Sequence, residues 1–190
     1  MCDYAAALDS IRRDPRYQRN LAWGRPRKGH PEGTIAAHIA ELERNLEQLR
    51  PKLSDEEAAK LRLLIHVHDT FKPDAVDGVA IRDPRGHASL ARAFLAEFCG
   101  DDSELLEMVQ WHDEAYALFL KARGRALPDE KRWDALKRAI GNWDVFLAFL
   151  LIDGSTKGKS REPLTWTIVQ LQRDGISTRF GFDDVAALAG

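Results

Sequence analysis

Apolar residues recur at intervals of three and four along nearly the whole chain, and no stretch of clean alternation between apolar and polar residues stands out. The segment from Thr34 to Leu49 illustrates the pattern, because its apolar residues fall on one stripe of a helix. Those residues are Ile35, Ile39, Leu42, Leu46 and Leu49. This periodicity is typical of amphipathic helices rather than strands. We therefore expect an all-α fold in which the helices pack as a compact bundle.

Prolines, glycines and capping residues predict where the helices begin and end. The first helix should end before Pro15, and Ser54 with Glu57 forms the S-x-x-E capping box that opens a later one. The predicted helices cover approximately residues 4–13, 34–49, 54–71, 87–99, 103–111, 114–122, 128–153 and 164–173. The segments 20–33, 73–86 and 154–162 are predicted loops. We expect a bend at Gly141 in the longest helix and loose packing of the tail from Gly175 onward.

The length of 190 residues suits one domain, and no long linker divides the chain. We predict a single domain over residues 1–190, with its core at about 29–155 and a C-terminal helix and tail at 160–190. The chain is 44% hydrophobic and 31% charged, a balance that excludes wholesale disorder. Its formal net charge of -2 provides no global attraction to nucleic acid or membrane. An anionic substrate would therefore have to bind at a local site.

The cysteines and the apolar runs bear on the compartment. Cys2 and Cys99 match no zinc-binding spacing, and their contexts make a disulfide improbable. The N-terminal segment lacks the continuous apolar region of a secretory signal. The longest apolar run, from Val145 to Ile152, is too short to span a bilayer. We expect a cytoplasmic protein without a membrane partner, and the sequence does not indicate its oligomeric state.

Histidines and aspartates occur in an order that suggests a metal site. They lie on separate predicted helices, and side chains from several helices can converge inside a bundle. The set comprises His38, the adjacent pair His68 and Asp69, His87, His112 and Asp153. Imidazole and carboxylate ligands suit Mn, Fe, Co, Ni, Zn or Mg, and the absence of nearby thiolates argues against a structural zinc site. The sequence does not choose among these metals.

The order of these residues resembles the H…HD…D signature of the HD superfamily of metal-dependent phosphohydrolases. The stretch HVHDTFKP resembles the HDxxK form of that signature, and HPEGTIAAH is similar to the start of the HD helix in bacterial tRNA nucleotidyltransferases. The resemblance spans about residues 29–153 and implies a helical bundle with metal at its centre. It further implies two ions. The first would be held by His38, His68, Asp69 and Asp153, and the second by Asp69, His87 and His112, with Asp69 bridging.

A two-metal site of this kind would hydrolyse a phosphate ester through a water whose pKa the ions lower. The resemblance assigns catalytic roles to Asp69 and Lys72, with Lys72 facing phosphate. Basic residues in flanking loops are further candidates for substrate binding: Arg85, Lys157 and Lys159, with Arg82 beside them. The expected substrate is a nucleotide or another small phosphate ester. The basic segment 25–28 leaves a nucleic-acid end as an alternative.

Two other functions stay open at the level of sequence. Some two-metal HD proteins are di-iron oxygenases, and a histidine set with a bridging aspartate suits that chemistry too. A non-catalytic sensor or binding module could also retain the metal. Among the remaining polar residues, His66 should point away from the site because it precedes His68 by two positions on a helix. His30 is a candidate for substrate contact, and Asp113 is expected to be a solvated neighbour of His112.

Overall fold

A computed structural model describes residues 2–123 and 128–188. Within these ranges the chain forms eleven α-helices and two single-turn 3₁₀-helices, and it contains no strand apart from one isolated bridge between Arg27 and His30. The α-helices are α1 (Tyr4–Arg13), α2 (Pro15–Asn20), α3 (Ile35–Leu49), α4 (Asp55–Val67), α5 (His87–Cys99), α6 (Ser103–Trp111), α7 (Glu114–Ala122), α8 (Glu130–Ala139), α9 (Trp143–Gly154), α10 (Glu162–Arg173) and α11 (Phe182–Ala187). The 3₁₀-helices are Arg50–Lys52 and Lys72–Asp74. The prediction of an all-α bundle is confirmed.

Side-chain caps define several helix starts. Ser54 Oγ accepts a hydrogen bond from the backbone N–H of Glu57, whose carboxylate accepts one from the N–H of Ser54, so the predicted capping box is present. Thr34 caps α3 in a similar way through the N–H of Ala37. Helix α4 ends at Val67, earlier than predicted, so His68 caps its C-terminus and the following residues form a turn.

Helices α4 and α9 form the centre of the bundle. Helix α4 packs against α1, α3, α6 and α9. Helix α9 is buried on nearly all sides, from Val145 to Ile152, which explains why its sequence is uniformly apolar. Among the described residues no helix is both long and apolar enough to cross a membrane.

The long helix predicted at 128–153 is two helices. Helix α8 ends at Ala139, and Asn142 then caps α9 by accepting a hydrogen bond from the N–H of Val145. Helix α8 is tied to the end of α10, because Nε1 of the buried Trp133 donates to Asp174 Oδ2 over 2.7 Å. The bend expected at Gly141 lies at this position, but it is a complete break between two helices, which apolar spacing alone did not show.

The C-terminal tail is packed, contrary to the sequence prediction. Helix α11 lies against α10, and Phe180, Val185 and Leu188 are buried. Lys52 Nζ donates to the buried Asp184 carboxylate over 2.6 Å, which links the tail to the end of α3. The apolar residues involved are too few and too unevenly spaced to form a recognisable helical stripe.

The expectation that the cysteines are unpaired is wrong in this structure. Cys2 and Cys99 form a disulfide, and their Cα atoms are 5.2 Å apart, a separation usual for such bonds. Helix α1 packs against α5, so Cys2, two residues before α1, meets the last residue of α5. The two residues are 97 positions apart, and only the tertiary packing brings them together.

Candidate metal centre

The residues of the predicted metal site come together at one face of the central helices. His38 lies on the second turn of α3, and His68 with Asp69 forms the turn after α4. His87 begins α5, His112 follows α6, and Asp153 lies near the end of α9. All six side chains take part in one of two groups whose potential ligand atoms lie within 4.8 Å of one another.

The first group consists of His38, His68 and Asp153. His38 Nε2 is 3.0 Å and His68 Nε2 is 3.9 Å from Asp153 Oδ1. Ligands held about 2.0–2.2 Å from one ion are roughly 3–4 Å apart, so these separations match a shared ion. Asp69 Oδ2 lies beside the group, 3.6 Å from His68 Nε2 and 4.0 Å from His38 Nε2.

The second group consists of Asp69, His87 and His112. Asp69 Oδ1 is 3.8 Å from His87 Nε2 and 3.6 Å from His112 Nε2, and the two Nε2 atoms are 3.2 Å apart. Asp69 therefore directs one oxygen to each group. This is the arrangement expected of a carboxylate that bridges two ions.

The hydrogen bonds of the imidazoles prepare their Nε2 atoms for a metal. His68 Nδ1 lies 3.1 Å from the carbonyl oxygens of Leu64 and Ile65, and His112 Nδ1 lies 2.7 Å from that of Val109. A carbonyl can only accept, so Nδ1 carries the proton and Nε2 presents a lone pair.

Two buried atoms at the centre have no partner within the described part of the chain. They are His68 Nε2 and Asp69 Oδ1, both acceptors aimed into the site. Leaving such atoms unsatisfied is costly in a folded protein. A bound cation would satisfy both, so the donor set fits divalent metal.

Two lysines provide positive charge at the groups. Lys72 Nζ lies 2.5 Å from Asp69 Oδ2, and Lys159 Nζ lies 2.8 Å from Asp153 Oδ1. Burial alone would raise the pKa of each carboxyl, but Lys72 holds the pKa of Asp69, and Lys159 that of Asp153, well below the ordinary value. Both carboxylates are therefore ionised over the neutral range.

The histidines in the two groups differ in their titration. Burial lowers the pKa of His68 to about 4, so its imidazole is neutral and able to act as a ligand at pH 7. Burial also disfavours the charged form of His112, but the carboxylates of Asp113 and Asp69 outweigh it and raise the pKa.

The residues predicted to bind substrate divide into two sets. Lys72 and Lys159 contact the carboxylates of the two metal groups. Arg85 instead pairs with Asp83 over 2.9 Å on an exposed loop, and Lys157 is exposed, with its backbone N–H bonded to Glu41. Within residues 2–123 and 128–188 no contact joins Arg85 or the Lys157 side chain to the metal groups, and their roles in substrate binding stay predictions. Arg82 lies over the Trp111 ring, 5.8 Å from its centroid.

Sequence reasoning placed one neighbouring histidine correctly and undervalued one acidic residue. His66 points away from the metal groups, and its Nδ1 hydrogen-bonds the Tyr17 hydroxyl over 2.5 Å. Asp113, expected to be a solvated neighbour, is 44% exposed, and its Oδ2 also lies 3.2 Å from His87 Nε2 and 3.7 Å from His112 Nε2. Its position directly after His112 was the only available signal.

Glu32 was not anticipated at all. Its carboxylate is buried between His30 and His38, and these three residues form a third group of potential ligands. Glu32 lies in a loop two residues before the cap of α3, where helical periodicity gives no information about which way a side chain points.

No protein-family model, no curated protein and no solved structure matches this chain. The resemblance to the HD superfamily therefore rests on the motif residues, and the assignment of the chain to that family stays a prediction.

Proposed function

We propose that this protein is a metal-dependent phosphohydrolase that acts on a nucleotide or another small phosphate ester. The observation that carries the proposal is the position of Asp69 between two groups of metal-ligating side chains, with Oδ2 directed to the first and Oδ1 to the second. Two divalent ions suit this arrangement. His38, His68 and Asp153 would hold one ion, and His87 with His112 the other.

Divalent ions at these positions would lower the pKa of a water molecule and stabilise charge on the phosphate oxygens. His68 and His112 would present Nε2 to the ions, fixed in direction by the carbonyl groups that accept from their Nδ1 atoms. Asp69 would hold the two groups at a fixed separation, because its carboxylate directs one oxygen to each group.

Lys72 favours a phosphate substrate over other chemistries. Its ammonium group contacts Asp69, yet the side chain is 24% exposed and lies between the buried carboxylate and solvent. A cation in this position can donate hydrogen bonds to phosphoryl oxygens that approach the metal groups. Lys159, 18% exposed and in contact with Asp153, provides a second donor.

The test combines metal analysis with hydrolysis assays. Protein purified without chelator is assayed with Mn, Co, Ni, Mg and Fe against p-nitrophenyl phosphate, bis-p-nitrophenyl phosphate and a panel of nucleotides. We expect about two ions per chain and metal-dependent release of product that Asp69→Ala abolishes. Glu97→Gln is the matched control, since Glu97 is also a carboxylate paired with a cation, Arg16, but lies at the far end of α5.

Other outcomes would replace the proposal by a different function. Bound iron together with substrate-dependent oxygen uptake would identify an oxygenase. Bound metal without turnover of any phosphate ester would identify a binding module. A single ion with full activity would retain the hydrolase and remove His87 and His112 from the ligand set.

A further inference from the structure

Glu32 is a buried carboxylate that lies beside His38 of the first metal group. Its Oε1 atom is 2.9 Å from His30 Nδ1 and 3.0 Å from His38 Nδ1, and its side chain is only 8% exposed. Oε2 and His38 Nδ1 are both buried and have no hydrogen-bond partner among the described residues. A carboxylate buried this deeply requires partners for its charge, because burial of an unpaired charge is costly.

A third ion is one possible explanation, but the chemistry of His38 argues against it. A neutral imidazole has one nitrogen with a lone pair and one that carries a proton. His38 Nε2 is directed to Asp153 in the first metal group. If Nε2 is a ligand there, Nδ1 carries the proton, and a protonated nitrogen donates a hydrogen bond instead of binding a second cation.

His38 differs from His68 and His112 in the group that lies next to its Nδ1 atom. His68 and His112 each direct Nδ1 to a backbone carbonyl of the preceding helical turn. His38 makes no such bond, and the group adjacent to its Nδ1 is the Glu32 carboxylate. A carboxylate behind a ligating histidine fixes its tautomer and increases its basicity.

The loop that carries Glu32 is held in place by its own backbone contacts. Arg27 and His30 exchange two backbone hydrogen bonds of 3.0 and 2.9 Å. Gly33 has φ +83°, a conformation that favours glycine, and a Cβ there would lie 2.8 Å from Pro26 Cδ. The loop therefore presents the Glu32 side chain in a defined position immediately before α3.

His30 is the outer member of this group. Its side chain is 23% exposed, compared with 5% for His38, and the centroids of the two rings are 5.6 Å apart. Since Nδ1 pairs with Glu32, Nε2 is the nitrogen of His30 outside this pair.

We propose that Glu32 is a positioning residue that keeps His38 Nε2 directed at the first metal group and His30 Nε2 directed at the substrate. The part concerning His30 rests on the proposed phosphohydrolase function, whereas the part concerning His38 requires only that metal binds. Glu32 thus links the geometry of the metal centre to that of the substrate pocket through two imidazoles.

Metal affinity tests the role of Glu32 toward His38. The affinity for Mn²⁺ and Co²⁺ is measured by competition with a chelator in the wild type, Glu32→Gln, Glu32→Ala and the control Glu47→Gln, an exposed α3 carboxylate paired with Arg62. We expect Glu32→Ala to weaken binding by about 10–100-fold with the number of ions per chain unchanged. Glu32→Gln should weaken it less, because the amide oxygen still accepts a hydrogen bond, and its near-identical shape protects against misfolding.

Two results would overturn this role. Unchanged affinity in both variants would mean that Glu32 does not support His38. The loss of one ion per chain, with normal affinity for those that remain, would identify Glu32 as a direct ligand of a separate ion.

Steady-state kinetics test the role of His30. We expect His30→Ala to raise KM by about 3–10-fold, the loss of one hydrogen bond, while metal affinity stays at the wild-type value. An unchanged KM would refute substrate contact by His30. If the metal-affinity result holds but no phosphate ester is hydrolysed by the wild type, the proposed function fails while the role of Glu32 toward His38 stands.

Discussion

Asp69→Asn should abolish most of the thermal stabilisation that metal provides. A ligand that binds only the folded state at 100 times its Kd stabilises that state by about 2.7 kcal/mol. For a chain of this size about 1 kcal/mol shifts Tm by roughly 2–4 °C, so one ion should raise the wild-type Tm by about 5–11 °C. Asp69 approaches ligand nitrogens in both groups, at 3.6 Å from His68 Nε2 and 3.6 Å from His112 Nε2. Its substitution therefore weakens both sites at once.

The assay is differential scanning fluorimetry with EDTA and with saturating Mn²⁺ or Co²⁺. Each variant is compared with its own metal-free form, so any effect of the substitution on the empty protein cancels. Glu97→Gln, which removes an exposed pair with Arg16, should lose less than about 1 kcal/mol of stability and retain the full metal-dependent rise. A rise in Asp69→Asn as large as in the wild type would refute the bridging role.

Further substitutions at three residues have expected outcomes. Lys72→Met should lower kcat by about 10²–10³-fold, which is the usual effect of removing one hydrogen-bond donor to the charge that develops in the transition state. The number of ions per chain should stay unchanged. An unaltered kcat in the nitrophenyl phosphate assay would show that Lys72 takes no part in catalysis. Asp174→Ala should cost about 1–3 kcal/mol in urea unfolding because Trp133 Nε1 is left buried without its acceptor; wild-type stability would contradict this. The pKa of Asp174 sets how this stabilisation depends on pH: burial disfavours the ionised form, but hydrogen bonds from Lys137, Arg173 and Trp133 outweigh it and lower the pKa. The stabilisation is therefore present above the unfolded value of about 3.9 and is lost as pH falls below that value. Asp174→Asn should reduce this loss in acid titrations. Cys2→Ser should cost about 2–4 kcal/mol under oxidising conditions, and dithiothreitol should lower the Tm of the wild type but not that of the variant; equal sensitivity to dithiothreitol would exclude the disulfide as the cause.

Local interactions explain the parts of the fold that were predicted well. The bonds of a capping box join residues three positions apart, so Ser54 and Glu57 were recognisable without any tertiary information. Helix α5 could be bounded in the same way, since its amphipathic pattern begins at His87 and ends before Gly100. In each case the residues that decide the structure are close in sequence.

The prediction failed where distant segments decide the outcome. The tail folds back because Phe180 and Leu188 are buried in the common core and because Lys52, 132 positions earlier, pairs with Asp184. The disulfide joins residues 97 positions apart. The spacing of apolar residues gives no information about contacts between segments that are distant in sequence.

For the candidate site as well, the sequence indicated which residues take part, and the tertiary structure determined how they are arranged. Residue type and order alone identified His38, Asp69 and the other candidate ligands, because few side chains bind divalent metal and their order resembles a known signature. Only the tertiary structure decided that Asp69 directs one oxygen to each group, that Asp113 approaches His87, and that Glu32 lies buried behind His38. Metal coordination and hydrogen bonding depend on separations of a few tenths of an ångström between atoms on different helices, and those separations are set by how the helices pack.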